Sequence, residues 1–459
     1  METVQKVAGP IDLAPLRTFF EEGVSREIKV RLRYLRRLEE GIRRREKEIL
    51  QALYSDLGKS AFEAYASEIG FTIEEIRFLQ KRLPRWAKPK AILPSLVQLP
   101  GRSYIRYEPR GVVLIISPWN YPFQLLMVPL AGAIAAGNVV VLKPSEFAPA
   151  TAEVVEKIIR DAFPPEYVQV VQGDAEVAAA LVDMDWDYIF FTGSPRIGRK
   201  VAEAAARRLI PYTLELGGKS PVIVESDANI SVAARRIAWG KWLNAGQTCI
   251  APDYVLVRED RLQPLIEELR NTTLQFYGDI SHPPTEYARI VHRGHYERLT
   301  RLMKEGEVVF GGYTDPDKLY ISPTLILSPK GALLEEEIFG PLLPIIPFHE
   351  SDEAVAIVRR LPPPLALYIF SSRSSVQEYY LQRLPSGGAC VNDTLMHIGS
   401  SRLPFGGVRD SGIGRYHGWY SFETFSHARA VVKTPTWLDF PLRYPPYKGK
   451  LSLVRRLLG

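Results

Sequence analysis

Helical spacing dominates the first part of the chain. Between residues 26 and 47, apolar side chains recur every three or four positions, at Val30, Tyr34, Leu35, Leu38 and Ile42. This period predicts an amphipathic helix, and residues 15–83 as a whole are predicted to be helical. Proline lacks a backbone donor and disfavours the helix interior. Pro84 and Pro89 therefore predict the end of the helical region.

After this region the pattern changes to short β-rich runs. Residues 97–107 alternate around a Pro-Gly pair, which predicts a hairpin. Two sets of apolar runs follow, at 112–116, 139–142, 168–171 and 188–191, and at 222–224, 254–257, 343–346 and 367–370. Helical stretches separate them, and this alternation is typical of parallel sheets covered by helices on both faces. We therefore predict an α/β fold with two parallel-sheet domains.

Composition narrows the class of protein. With 459 residues the chain is long enough for two or three domains, and 46% hydrophobic with 24% charged residues is typical of a soluble globular protein. Two cysteines, Cys249 and Cys390, provide no disulfide framework and indicate a reducing compartment. No signal peptide and no apolar run of ~20 residues is evident, so we expect a cytoplasmic protein.

The net charge of +6 comes largely from the helical region at 26–47, where acids interleave with the arginines. This pattern favours a solvated helix face over a nucleic-acid arm. His292 and His295 are spaced as metal ligands sometimes are, but no further motif completes a zinc set, so we expect surface histidines and no metal.

The chemistry is suggested first by two residues. Cys249 lies among small and amide-bearing residues, and Glu215 lies between two leucines before a glycine pair. A cysteine with a pKa near 8.5 is mostly protonated at pH 7, so a nucleophilic thiol profits from a neighbouring base. The alternatives are a small buried cysteine in the core and an ion-paired carboxylate.

A third candidate follows the first predicted strand of the α/β region. Residues 116–122 lie at the carboxyl end of that strand, where open α/β sheets bind ligands. The Asn120 amide there can donate a hydrogen bond to a developing oxyanion. The alternative is an Asx turn before Pro122.

Three more segments suit a dinucleotide. Lys143 and Glu146 follow a strand, and their side chains could form hydrogen bonds with two ribose hydroxyls. A surface ion pair is the simpler interpretation. Residues 191–198 run from a strand through a glycine turn into a helix, whose first N–H groups can hold a pyrophosphate. This turn lacks the G-x-G-x-x-G spacing. In residues 336–341, an acid and an aromatic side chain precede a turn.

In this order the segments resemble those of the aldehyde dehydrogenase superfamily over nearly the whole chain. Residues 404–407 and 420–427 resemble the class 3, fatty-aldehyde branch. The resemblance implies two Rossmann-like parallel-sheet domains and a small bridging element. The implied bounds are 1–96 with 108–217 for the NAD(P)-binding domain, 218–391 for the catalytic domain, 97–107 with 392–433 for the bridging and oligomerisation element, and 434–459 for a tail.

The resemblance also implies roles for single residues. Cys249 matches the nucleophile, Glu215 the acid that activates water or the thiol, and Asn120 an oxyanion donor. The matching cofactor residues are Ile116, Ser117, Trp119, Lys143, Glu146, Gly193, Ser194, Gly198, Glu337 and Phe339. The cofactor is then NAD and/or NADP, and Glu146 near the ribose favours NAD because a carboxylate repels a 2′-phosphate. Arg409 and Asp410 depart from the branch's pattern in one loop.

The implied activity is oxidation of lipophilic aldehydes (aliphatic, aromatic or polyene) to carboxylic acids through a thioester on the cysteine. A homodimer is expected. The basic amphipathic segment at 448–458 could contact a membrane surface, pack on its own domain or cover the substrate entrance. The alternatives for the whole chain are a membrane-surface or scaffold protein that keeps the fold without turnover, a thiol esterase that ignores NAD, and a coenzyme A-acylating enzyme. Glu215 disfavours the last, because acylating relatives usually lack that carboxylate.

Overall fold

A computed structural model describes residues 11–458. The helices are α1 Ala14–Glu21, α2 Ile28–Arg44, α3 Glu46–Leu57, α4 Ala61–Ala64, α5 Gly70–Trp86, α6 Gln124–Ala136, α7 Pro149–Ala162, α8 Ala175–Val182, α9 Pro195–Arg207, α10 Ile230–Trp242, α11 Leu262–Tyr277, α12 Arg293–Leu302, α13 Ala332–Glu335, α14 Ser351–Arg359, α15 Ser374–Arg383, α16 Trp419–Thr424 and α17 Leu451–Leu458. A π-helical turn, Tyr65–Ile69, joins α4 to α5.

The strands are β1 Lys90–Ile92, β2 Arg102–Pro109, β3 Val112–Ile116, β4 Val139–Lys143, β5 Val168–Val170, β6 Tyr188–Thr192, β7 Tyr212–Glu215, β8 Pro221–Val224, β9 Tyr254–Arg258, β10 Glu307–Phe310, β11 Thr314–Asp315, β12 Tyr320–Ile321, β13 Thr324–Leu327, β14 Leu342–Phe348, β15 Ala366–Phe370, β16 Gly388–Val391, β17 Gly412–Ile413 and β18 Ser426–Lys433. All eight predicted β-rich runs are strands, with bounds within two residues of the prediction.

Two large sheets form the centre of the molecule. One has the order β17-β7-β6-β3-β4-β5, and the other has the order β10-β13-β14-β9-β8-β15-β16. Neighbouring strands are parallel except at one edge of each sheet, where β17 and β10 run antiparallel to their neighbours. The prediction of two parallel-sheet α/β units is confirmed. Helices cover both faces of such sheets, and β3, β4 and the whole of α6 are accordingly buried.

The helical prediction for the first part of the chain is confirmed, with one correction. The predicted apolar positions Tyr34, Leu35, Leu38 and Ile42 form the buried face of α2. Pro84 does not end α5, which continues to Trp86.

A third sheet joins distant parts of the chain. Its order is β1-β2-β18, and both pairs are antiparallel. The predicted hairpin is therefore wrong in its first strand: β2 pairs with β1 at 90–92, while residues 96–98 form a short 3₁₀ turn. Residues 1–10 and 459 of the predicted domains lie outside the described part of the chain. Within that part, no helix is both long and apolar enough to cross a bilayer.

Candidate active site

Four neighbouring strands of the first sheet end at the same level. The pairing of Thr192 with Glu215 and of Ile116 with Lys143 aligns the carboxyl ends of β7, β6, β3 and β4. Such an edge is where open α/β sheets bind ligands. Glu215, Thr192, Lys143 and Ser117, which follows Ile116, are all buried.

Three side chains at this edge lack hydrogen-bond partners. Within residues 11–458, neither carboxylate oxygen of Glu215 is bonded, and the hydroxyls of Thr192 and Ser117 are also unpaired. Buried polar groups in native proteins are almost always satisfied, so each orphan requires an explanation. A polar ligand at the ends of β6 and β3 would supply partners for the two hydroxyls, and a dinucleotide has the oxygen atoms to do so.

The turn after β6 has no room for larger side chains. The N–H of Gly193 donates to the Glu215 carbonyl at 3.0 Å. A Cβ on Gly193 would lie 2.5 Å from the Phe191 ring, and one on Gly198 would lie 2.6 Å from Leu216. Ser194 is the N-cap of α9 and accepts a hydrogen bond from the helix. The start of α9 is thus held against the sheet edge, where helix N–H groups can bind an anion.

Lys143 and Glu146 lie at the end of β4, two strands along the same sheet edge from this turn. The Lys143 ammonium donates to the carbonyl of Pro144 at 2.8 Å and to Glu146 at 3.4 Å. Burial lowers the pKa of Lys143, whereas the Glu146 carboxylate raises it. The Glu146 side chain remains one-third exposed. A buried donor beside an accessible acceptor is the pair that two ribose hydroxyls require.

Cys249 follows an unusual backbone turn. After α10 the chain takes left-handed conformations at Asn244 (φ 52°), Ala245 (φ 51°) and Gly246 (φ 73°). The first two carry side chains, which rarely adopt this region, so the surrounding contacts must hold them there. The Gln247 amide does so by donating to the Asn244 carbonyl at 3.0 Å and by accepting from a neighbouring loop. The turn directs the chain back toward the sheet edge.

The Asn120 segment contacts this turn at two points. The Asn120 amide nitrogen donates to the Gln247 carbonyl at 3.1 Å. The Tyr121 hydroxyl lies 2.7 Å from the Thr248 hydroxyl. The two residues before Cys249 are therefore fixed to the loop that follows β3, and the Asn120 amide lies next to the loop that carries the cysteine.

Electrostatics identify the neighbours of the sulfur. Cys249 is partly exposed as a residue, yet burial and then the charges of Glu337 and Glu215 raise the pKa of its thiol to about 12. Burial alone raises the pKa of Glu215 well above its usual value. Burial, with Asp253 second, raises the pKa of Glu337 to about 8. All three shifts favour the protonated form of the group, and burial is the first cause of each.

The segment at 336–341 lies next to Glu215, Cys249 and the Asn120 loop. A Cβ on Gly217 would lie 2.3 Å from both carboxylate oxygens of Glu337, so this side chain lies directly over the glycine pair. Phe339 has a φ of 53°, and its ring lies 5.4 Å from the Trp119 ring. A Cβ on Gly246 would lie 2.3 Å from the Gly340 carbonyl. The structure therefore brings all five predicted segments together.

Sequence reasoning missed several contributors. His295 was expected on the surface, but burial lowers its pKa to about 3, and its Nε2 lies 2.8 Å from the Phe339 carbonyl. Gln247 stands inside the cysteine motif and could have been noticed as a tethering amide. Lys59, Glu63 and Glu68 come from the helical region, whose charged residues carried no signal of burial.

Comparisons with known proteins agree with this geometry. The model of the family described as "Aldehyde dehydrogenase family" matches residues 17–431. A relative from Staphylococcus aureus, named 4,4′-diaponeurosporen-aldehyde dehydrogenase, is 46% identical over 443 residues and covers 96% of each chain. Aldehyde dehydrogenase family 3 member A2 of Macaca fascicularis is 40% identical, over 96% of this chain and 93% of its own.

Solved structures give the same result. A substrate-bound state of Staphylococcus aureus AldH superimposes with a TM-score of 0.95 at 45% identity, covering 97% of this chain and 98% of that one. An NAD⁺ complex of a Bacillus cereus aldehyde dehydrogenase has a TM-score of 0.84 at 26% identity, covering 92% and 87%. A glyceraldehyde-3-phosphate dehydrogenase of Methanocaldococcus jannaschii complexed with NADP has a TM-score of 0.83 at 26% identity, covering 92% and 93%.

Proposed function

The chain belongs to the aldehyde dehydrogenase family, and from this premise we propose that Cys249 is its nucleophile, Glu215 its base and Asn120 its oxyanion donor. It is an NAD(P)-dependent oxidoreductase, like relatives of known structure that hold NAD⁺ or NADP. The observation that carries the residue assignment is the unpaired, fully buried Glu215 carboxylate whose charge acts on the Cys249 thiol. A buried acid without a partner is costly and has no structural use.

The reaction begins when the Cys249 thiol gives its proton to the Glu215 carboxylate, which passes it to solvent, and the sulfur attacks the aldehyde carbon. A C–S bond forms and the carbonyl oxygen becomes an alkoxide. The Asn120 amide and the Cys249 N–H donate hydrogen bonds where this charge develops, which lowers the barrier more than binding the ground state would. A bound nicotinamide dinucleotide supplies the oxidant by accepting a hydride.

Release of the acid depends on Glu215. Once the carbon is oxidised, a thioester remains on Cys249. The Glu215 carboxylate takes a proton from water, the water oxygen attacks the thioester carbon, and the C–S bond breaks to return the thiolate and the carboxylic acid. The raised pKa of Glu215 brings its basicity closer to that needed for this step.

We assign the cofactor contacts to the residues that fit them. Lys143 and Glu146 would bind the adenosine ribose, and Gly193, Ser194 and Gly198 would form the pyrophosphate turn. Ile116, Ser117 and Trp119 would line the cofactor site, while Glu337 and Phe339 would position the nicotinamide ribose and ring. Two observations support this assignment. Buried hydroxyls at the carboxyl edge of the first sheet have no hydrogen-bond partner among the described residues, and the glycines of the turn have no room for a Cβ.

The substrate that we propose is a lipophilic aldehyde. Large apolar side chains are exposed on segments that contact or lead into the Cys249 turn: Phe62, Tyr65 and Trp239. Phe62 and Tyr65 lie one and two residues from Glu63, which accepts the Asn244 N–H, and Trp239 lies in the last turn of α10 just before the Cys249 loop. The most similar relatives described above include one named for a polyene aldehyde, which agrees with an apolar approach to the sulfur.

The test is reduction of NAD⁺ by the purified chain with aldehydes of increasing length, from acetaldehyde through decanal to long polyenes. We expect kcat/KM to rise with apolar length, and Cys249→Ala to remove activity. A chain that binds NAD⁺ but reduces none with any aldehyde would support the scaffold alternative. Acceleration by coenzyme A with formation of its thioester would support the acylating one.

We further propose a homodimer that uses the third sheet. The segment between β1 and β2 exposes Leu93, Leu96, Val97 and Leu99, and β18 leaves one edge without a partner in the described chain. Exposed apolar segments and open strand edges are surfaces that a second copy can cover.

The tail supports contact with an anionic membrane surface. Residues 440–458 contain five basic residues and no acid, and Trp437, Leu451 and Leu453 are at least half exposed. This combination is typical of interfacial helices. A chain shortened to end at Tyr447 should no longer sediment with anionic liposomes, and equal sedimentation of both chains would contradict the proposal.

A further inference from the structure

Three charged residues from the helical region form a buried cluster beneath the site. Lys59 and Glu68 are 0% exposed, and Glu63 is 9% exposed. The Lys59 ammonium donates to the Glu68 carboxylate at 2.5 Å and lies 3.9 Å from the centre of the Tyr121 ring. Burying ions is unfavourable unless each one is well paired, so such a cluster indicates a role other than stabilising the fold.

The first arm of the cluster reaches the Asn120 segment. Lys59 donates a second hydrogen bond to the Asn120 carbonyl at 2.8 Å. The other oxygen of Glu68 accepts from the N–H groups of Phe123 at 2.9 Å and Gln124 at 3.3 Å. These donors lie at the start of α6, three and four residues after Asn120, so Lys59 and Glu68 fix the backbone from the Asn120 carbonyl to the beginning of α6.

The second arm reaches the Cys249 turn. Glu63 accepts the N–H of Asn244 at 2.9 Å, where the backbone is left-handed. The Asn244 amide donates in turn to the carbonyls of Asn120 at 2.9 Å and Gln247 at 3.1 Å. Both oxyanion donors, the Asn120 amide and the Cys249 N–H, therefore belong to segments that this cluster holds.

The π-helical turn explains how one short stretch serves both arms. Residues five apart in a regular α-helix point about 140° away from each other. The turn at Tyr65–Ile69 widens the helix between Glu63 and Glu68, which lets both carboxylates join one cluster. Such single π turns occur often at functional sites.

We propose that Lys59, Glu63 and Glu68 are positioning residues that align the Asn120 amide with the Cys249 N–H for oxyanion binding. The proposal rests on the function proposed above and adds residues that touch neither substrate nor cofactor. Their loss should lower the rate of chemistry without lowering the affinity for aldehyde. The nucleophilicity of the thiol itself should not change.

Glu63→Leu removes the acceptor for the Asn244 N–H, whereas Glu63→Gln keeps an oxygen there. A misplacement of about 1 Å can cost on the order of 100-fold in rate. We expect kcat for aldehyde oxidation to fall at least about 10-fold in Glu63→Leu and to stay within about 3-fold in Glu63→Gln, with KM within about 3-fold in both. Lys59→Met with Glu68→Gln should reproduce the loss without leaving an unpaired buried charge.

Two further measurements separate alignment from general damage. Hydrolysis of p-nitrophenyl acetate needs no cofactor: the sulfur attacks the ester carbonyl through an oxyanion, p-nitrophenolate leaves, and water releases acetate. It should fall in parallel with kcat. Alkylation of Cys249 by iodoacetamide displaces iodide without an oxyanion, and its rate should stay within about 3-fold.

The matched control is Glu225→Leu. Glu225 is 2% exposed and accepts from Ser351 at 2.7 Å and Tyr380 at 2.5 Å, beyond the carboxyl end of β8. It should lower thermal stability but not kcat per titrated active site. An unchanged kcat in Glu63→Leu, or a parallel loss of alkylation, would overturn the proposal. Failure of the wild type to reduce NAD⁺ would instead overturn the proposed function, and the ester assay would still report on the cluster.

Discussion

Glu215 illustrates at the residue scale how the site departs from ordinary packing. The side chain is 2% exposed, and its two oxygens have no partner among the described residues. Burial raises its pKa well above the usual value, which means that the folded chain binds a proton there more tightly than the unfolded chain does. A core that served stability alone would place a neutral side chain here.

This raised pKa predicts a pH-dependent cost in stability. Between the unfolded pKa near 4.3 and the raised folded pKa, the unfolded state loses its proton first, so wild-type stability falls by up to about 1.4 kcal/mol per pH unit. Glu215→Gln has no carboxyl group at this position, so its stability lacks this pH dependence. We expect its melting temperature relative to the wild type to be higher at pH 8 than at pH 5. An equal difference at both pH values would contradict the buried-acid account.

Glu146 predicts the cofactor preference. Its carboxylate is one-third exposed beside Lys143 at the proposed ribose site, where it would repel a 2′-phosphate. We expect Glu146→Gln to raise kcat/KM for NADP⁺ relative to NAD⁺ by about 5-fold to 10-fold, the effect of removing one partly screened charge. Glu153→Gln, an exposed substitution on α7, should leave the ratio unchanged. If Glu146→Gln also leaves it unchanged, Glu146 does not contact the ribose.

Part of this residue-scale detail was predictable from the sequence. Cys249, Glu215 and Asn120 stand in motifs with local signals, such as small residues around a thiol or an amide at a strand end. Lys59 and His295 do not, because their neighbours in space are 61 and 44 residues away, at Asn120 and Phe339. A single polar residue gives no sign in the sequence that its head group is buried against a distant segment.

At the scale of elements, the beginning of α9 depends on one glycine. A Cβ on Gly198 would lie 2.6 Å from a Leu216 methyl group, so Gly198→Ala must displace the buried Leu216 side chain, the start of α9, or both. We expect a lower melting temperature and a KM for NAD⁺ raised about 3-fold to 10-fold, because the N–H groups at the proposed pyrophosphate site move. Leu216→Ala should restore both in the double variant. A raised KM that the second substitution does not relieve would show that the clash is not the cause.

The elements themselves were largely predictable because they follow simple periods. Runs such as 112–116 and 139–142 are buried on both faces, and a short, fully apolar run in the sequence predicts such a strand. The strand β1 was missed because its three residues are all exposed, so they carry no alternating pattern, and only their pairing with β2 makes them a strand. Long-range pairing of this kind leaves little mark on the local sequence.

For the whole molecule, the third sheet predicts the state of assembly. Leu93, Leu96 and Val97 are 93%, 70% and 71% exposed, which is unusual for large apolar side chains in one segment. We expect light scattering to give twice the chain mass of 51.8 kDa. Replacing these three residues by serine should give a monomer with unchanged secondary structure. A wild-type monomer, or a variant that remains dimeric, would contradict the proposed interface.

The central claim is that Cys249 carries the oxidised substrate as a thioester until Glu215 activates water. The most direct measurement is the mass of the peptide that contains Cys249, taken after Glu215→Gln is mixed with decanal and NAD⁺ and quenched in acid. The account predicts a decanoyl adduct on this cysteine, formed together with about one equivalent of NADH per site. NADH formed without an adduct, or an adduct on Cys390, would contradict it.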